Sequence, residues 1–199
     1  MRRILTVAAV VLVAVPSLGV ALTRDHAPRA AQPASAAPAI SSTAAAQHAT
    51  APLDDATIVA IFDAANTADI ETGRVAAERG QSAEVREFGK MLERDHTAVR
   101  KMGRDLAAKL GVTPTPPAND AAPRDHAAAM KALRSASTKD FDQTFLHHEV
   151  AFHAAVIQAV TTTLLPAIKN AELKDLVTKV APAFEAHRAA AENLSRRLK

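Results

Sequence analysis

The chain has 199 residues, with 24 basic and 21 acidic side chains, a formal charge of +3, and no cysteine, tryptophan or tyrosine. That length suits one domain with appendages, and the missing cysteines exclude disulfides, thiolate metal sites and a lipoprotein anchor, so any metal site must use histidine and carboxylate. The near-balanced charge, with no basic stripe and no Trp or Tyr to stack on bases, argues against a nucleic-acid partner.

Met1-Arg2-Arg3 opens the chain with positive charge, and Ile4 to Leu22 is almost wholly apolar. Gly19-Val20-Ala21 offers the small residues that a signal peptidase needs. Residues 1–21 therefore read as a signal peptide, which implies export to the periplasm or cell envelope. The run is also just long enough to span a bilayer, so an uncleaved signal anchor with membrane association is the alternative. Without Arg2 and Arg3 the balance is 22 basic to 21 acidic residues, which weakens the basic isoelectric point as a clue to partners. Residues 22–52 are rich in Ala, Pro, Ser and Thr and read as a disordered tether. His26 and His48 fall in this stretch, where no structural role is expected.

Residues 53–199 read as helix. The first segment runs from about Asp54 to Arg79, with acidic residues at its start and an apolar stripe of Ile58, Ile61, Phe62, Ala65, Ala68, Thr72, Val75 and Ala76. Gly80 stops it and Ser82 caps the second segment, which extends to Leu110 with a stripe through Val85, Phe88, Leu92, His96, Val99, Gly103 and Leu106. Gly111 suits a C′ position. Residues 112–123 hold four prolines and read as a loop, and Asp125 to Leu133 is long enough for a short helix. A third long segment spans about Thr138 to Leu165, with Leu146, Glu149, Val150, His153, Val156 and Val160 on one stripe and Phe141, Phe145, His148 and Phe152 on the next. Pro166 ends it. Asn170 caps a fourth segment over Ala171 to Arg197, with a stripe through Leu173, Val177, Val180, Phe184, His187, Ala191 and Leu194, and an internal Pro182 that should kink or break it.

The expected fold is all-α: a four-helix bundle of the ferritin-like kind, with a long connection between the second and third helices and short turns within each pair. A plain up-and-down bundle with a decorated loop is the competing architecture.

Asp69, His96, His153 and His187 each fall within about one turn of a helix midpoint, on or beside the apolar face. Reversing a helix preserves its middle, so the four share a level in either topology. Glu149 lies one turn from His153 and points the same way. A buried carboxylate or imidazole needs a partner. Asp69, His96, Glu149, His153 and His187 thus form a candidate ligand set for a divalent transition metal such as zinc, iron or copper. The competing reading is a network of His–carboxylate hydrogen bonds that fixes helix register. Asp95 flanks His96 and suits a supporting role beside a ligand. His148 shares the Phe face and reads as packed or rim-exposed.

Ala68-Asp69-Ile70-Glu71-Thr72-Gly73-Arg74-Val75-Ala76 and the run from Gln81 to Thr97, which contains Asp95-His96, resemble motifs of the bacterial family catalogued as domain of unknown function 4142. Phe141-Asp142 with Phe145 and His153, and Ala181-Pro182 with His187, resemble its later motifs. The resemblance covers about residues 54–198 and implies an exported ferritin-like helical domain with no assigned activity. Asp69 stands where the family usually has Glu, and Phe145 where it commonly has Tyr. A di-iron centre of the ferritin type needs a Glu-x-x-His on each of two helices. Only Glu93-x-x-His96 has that spacing, so ferroxidase chemistry is not expected. The absence of Cys, Gly-x-Ser-x-Gly and a phosphate-cradling glycine loop argues against a hydrolase. The chain therefore reads as a metal-binding or structural envelope module rather than an enzyme.

Overall fold

The computed structural model describes residues 53–198, and the signal segment and tether expected over residues 1–52 lie outside the described residues. Every regular element among the described residues is helical. The long helices are α1 (Asp55–Arg79), α2 (Ala83–Leu110), α4 (Phe141–Ala159) and α5 (Ala171–Arg197), and the shorter α3 (Ala122–Ser135) lies in the connection between α2 and α4. The four long segments expected from the sequence are helices, and the short segment expected over Asp125 to Leu133 forms a fifth that extends to Ala122–Ser135. Pro123, expected in the loop, sits in the first turn of α3, where its missing N–H costs nothing.

The ends follow capping chemistry. Asp54, Ser82 and Asn170 each accept a bond from the backbone N–H three residues on, from Thr57, Val85 and Leu173. Gly111 closes α2 with φ at 64°, in the left-handed region that suits glycine. The end of α4 departs from the simple stop expected at Pro166. A π turn over Val160–Leu164 and a last α turn over Leu165–Ala167 continue the helix. Pro166 cannot donate to the carbonyl four residues back. The Thr161 and Thr162 hydroxyls donate to carbonyls at Ile157 and Gln158, which loosens the local ladder further. Pro182 lies inside α5 without ending it.

α1 and α2 form one antiparallel hairpin and α4 and α5 another, with α2 also against α5 and α1 against α4. The hairpins are locked end to end by carboxylates. Asp142 accepts from the backbone N–H groups of Gln81 and Ser82 at 2.8 and 2.9 Å, in the α1–α2 turn. Asp55 does the same for Lys169 and Asn170 in the turn before α5, at 2.9 Å each. Arg79 holds the end of α3 by donating to the carbonyls of Leu133, Arg134 and Ala136, with its guanidinium over the Phe141 ring.

Two apolar clusters fill the interior. One contains Ile58, Phe62, Val99, Val156, Val177 and Phe184. The other contains Ala76, Phe88, Leu92, Leu133, Phe145 and Ala191. Each long helix enters one cluster and leaves through the other. The order in which they do so makes α2 and α4 parallel, so residues 111–140 return along the length of the molecule. The stretch of each helix between the clusters carries the polar residues.

Among the described residues one helix, Thr138–Ala167, is long and apolar enough to cross a membrane by length and composition. Its inward face carries the fully buried Glu149 and His153.

Candidate metal centre

The layer between the two clusters brings together residues from all four long helices. Asp69 comes from α1, His96 from α2, Glu149 and His153 from α4, and His187 from α5. All five are buried, with Glu149 and His153 fully inaccessible. Donor atoms of His96, His153 and His187 lie within 4.8 Å of one another, and so do those of Asp69, Glu149 and His153, which makes His153 the shared member. The three imidazole centroids stand 5.1 to 5.7 Å apart. Phe184 stacks on His96 at 5.6 Å and closes the apolar side.

Hydrogen bonds at the rim fix the tautomers. Asn66 donates its Nδ2 to the Phe62 carbonyl at 2.7 Å, so its Oδ1 faces His96 Nδ1, at 2.9 Å. His96 Nδ1 therefore carries the proton and Nε2 bears the lone pair. His187 Nε2 faces the Asp95 carboxylate at 3.2 Å, which can only accept, so Nδ1 of a neutral His187 bears the lone pair. His153 donates Nδ1–H to the Glu149 carbonyl at 3.0 Å, which leaves Nε2 pointing inward. Each ring is thus held by its outer nitrogen and presents the other to the centre. This is the arrangement that orients imidazole ligands around a metal.

His96 Nε2 and His187 Nδ1 stand 3.2 Å apart. In neutral rings with these tautomers the two lone pairs face each other, and a cation or proton between them relieves the repulsion. A proton is disfavoured there. Burial, with His153 and His187 nearby, lowers His96 to a pKa of about 3. Burial and His153 also lower His187. Two nitrogens 3.2 Å apart, each ~2.0–2.1 Å from a metal, subtend about 100° at it, an ordinary ligand angle.

The carboxylate side is also short of partners. Among the described residues only four buried side-chain atoms lack a hydrogen-bond partner, and three of them are Asp69 Oδ1, Glu149 Oε2 and His153 Nε2. Native interiors rarely leave such atoms unpaired. Thr72, fully buried, donates to Glu149 Oε1 at 2.9 Å. Asp69 Oδ2 lies 3.4 Å from His96 Nε2. Burial raises the Asp69 carboxyl well above the usual carboxylate range, with Glu149 adding to the rise and His153 opposing it. Burial alone would lower His153, but Asp69 and Glu149 outweigh it and lift the imidazole to about 9. Burial likewise works against the Glu149 charge, and the nearby His153 and His148, with the bond from Thr72, more than offset it. Without a metal, the proton held by His153 does part of the work that a cation would do.

The remaining polar residues sort outward. Asp95 supports His187 and does not enter the centre. Glu93 pairs with Arg74 at 2.6 Å on the surface, so the lone Glu-x-x-His match contributes only its histidine. His147 is exposed, and His148 packs on Phe152 with its pKa lowered by burial. Sequence reasoning missed Asn66 and placed Thr72 among apolar neighbours. Asn66 lies three residues before Asp69, on the same face, and that spacing was its only signal, since a short uncharged amide beside an apolar stripe is inconspicuous.

The family model described as Domain of unknown function (DUF4142) matches residues 39–194, more than half the chain. Comparison with curated proteins and with solved structures returns no match.

Proposed function

This chain belongs to the domain of unknown function 4142 family, whose description names no reaction, and from the site itself we propose that it is an exported envelope protein that binds one divalent transition metal between its helices. The ligands are His96, His153 and His187 through nitrogen and Asp69 and Glu149 through oxygen. One observation carries the reading. Three inward imidazole nitrogens, each fixed by a bond at its outer nitrogen, converge, and His153 joins them to two carboxylates in a layer where three buried polar atoms lack partners. Imidazole with carboxylate suits zinc, iron or copper. The parallel α2 and α4, joined by a connection that returns along the molecule, support a ferritin-like bundle as the scaffold. The donor set differs from the ferritin di-iron pattern, and the residues support metal holding rather than oxidase chemistry.

The test is elemental analysis of untagged protein, followed by titration with zinc, iron and copper. One equivalent of metal and a raised melting temperature are expected. No stoichiometric metal, with a melting temperature unmoved by all three, would refute the proposal. Export and the signal segment rest on residues 1–21 and are tested by N-terminal sequencing of protein from fractionated cells: a start near Ala21 in the envelope fraction supports cleavage, and Met1 at the membrane supports an anchor.

A second reading has its own support, because Asn66, Thr72 and Asp95 each partner one member of the cluster. In that case the histidines only set helix register. A His96→Ala, His153→Ala double variant would then lose stability yet bind as much metal as wild type.

A further inference from the structure

The five ligands are not equally deep. Glu149 and His153 are fully buried, His96 is 1% exposed, Asp69 3% and His187 5%. Beyond His187 stands Asp95, whose side chain is 33% exposed. Along the axis the apolar clusters close both ends of the layer. Between α1 and α2 the wall is backbone against backbone, since a Cβ on Gly73 would stand 2.7 Å from the Gly89 carbonyl oxygen. Asn66 and Thr72, the supports on the α1 side, are themselves buried. His187 therefore spans the wall, with Nδ1 toward His96 and Nε2 toward Asp95. Five residues before it, Pro182 removes one rung of the α5 ladder and weakens the local hold on that helix.

We propose that metal enters and leaves through the seam between α2 and α5, with the Asp95 carboxylate as the outer cation contact and His187 as the ligand that moves to admit the ion. This rests on the metal reading above. Asp95 divides its oxygens between two partners, Oδ2 toward His187 and Oδ1 toward the exposed Arg94, whose Nε lies at 2.9 Å. An incoming divalent cation is attracted by Asp95 and must displace or pass Arg94. Removing the two charges should therefore change the uptake rate in opposite directions, which a purely structural role for either residue does not predict.

The experiment is stopped-flow mixing of the untagged full chain with Co2+, read by the visible absorption of imidazole-bound cobalt, at low ionic strength. Asp95→Asn should slow uptake at least about threefold and Arg94→Gln should quicken it at least about twofold, with both effects shrinking as salt is added. Asp95→Glu should restore most of the rate, which guards against a folding defect in Asp95→Asn. Cobalt uptake by wild type with unchanged rates in Asp95→Asn and Arg94→Gln would overturn the entry route and leave the metal reading standing. Faster release from Asp95→Asn with uptake unchanged would also overturn it, because Asp95 would then only orient His187. A wild-type chain that takes up no Co2+ would overturn the metal reading and this one together.

Discussion

At the scale of single residues the centre is a set of orientations. Asn66 determines which nitrogen of His96 faces inward. Replacing it with Leu removes the acceptor, lets the ring adopt either tautomer and should weaken metal binding about 10- to 100-fold by calorimetry, the usual effect of losing such a support. Protons provide a second check. His153 is lifted above its unfolded value of 6.5 to about 9, and Asp69 is raised well above 3.8. The native state thus binds protons more tightly than the unfolded chain does, most clearly at His153. The His153 contribution is complete below pH 6.5 and is lost as pH rises through about 9, and Asp69 acts in the same direction. In chelator, the melting temperature should fall between about pH 7 and about pH 9.5, while metal affinity rises because binding displaces those protons. A metal-free melting temperature that stays level or climbs over that interval would contradict the assignment. The histidines and carboxylates were legible in the sequence because a polar residue interrupting an apolar stripe is conspicuous. Asn66 and Thr72 were not, because short uncharged side chains pass as part of such a stripe.

At the scale of elements, close approach and capping dominate. α1 meets α2 where Gly73 and Gly89 face each other, and a Cβ on Gly89 would lie 2.5 Å from the Gly73 oxygen and 2.7 Å from the Ala77 nitrogen. Both contacts are backbone, so Gly89→Ala must push the helices apart. A loss of about 1–3 kcal/mol in denaturant unfolding is expected, with weaker metal binding because Asp69 and His96 move relative to each other. Asp142→Ala should cost about 1–2 kcal/mol through the two N–H groups it leaves at the start of α2. Helix ends were legible because Asp54, Ser82, Gly111 and Asn170 announce themselves by local chemistry. The role of Asp142 was not, since its partners lie about sixty residues away in the chain. Nor was the π turn after Ala159, where a threonine run and Pro166 alter the ladder without ending the helix.

At the scale of the whole molecule, four helices are divided by a polar layer between two apolar clusters. That layer conflicts with the hydrophobic packing on either side of it, and under the proposed function a bound cation resolves the conflict. At a free metal concentration a hundredfold above the dissociation constant, the native state gains about 2.7 kcal/mol. For a helical unit of this size, the corresponding rise in melting temperature is roughly 5–10 °C. The common level of Asp69, His96, His153 and His187 was visible without any topology, because a midpoint is the same in either direction. Which helices neighbour each other was not visible, because it depends on where residues 111–140 run. The most direct measurement is anomalous scattering at the zinc edge from crystals of untagged protein soaked in zinc. One peak is expected, ~2.0–2.1 Å from His96 Nε2, His153 Nε2 and His187 Nδ1, with carboxylate oxygens of Asp69 or Glu149 completing the set. No peak in that layer, with each imidazole paired to its own carboxylate or amide, would contradict a metal centre.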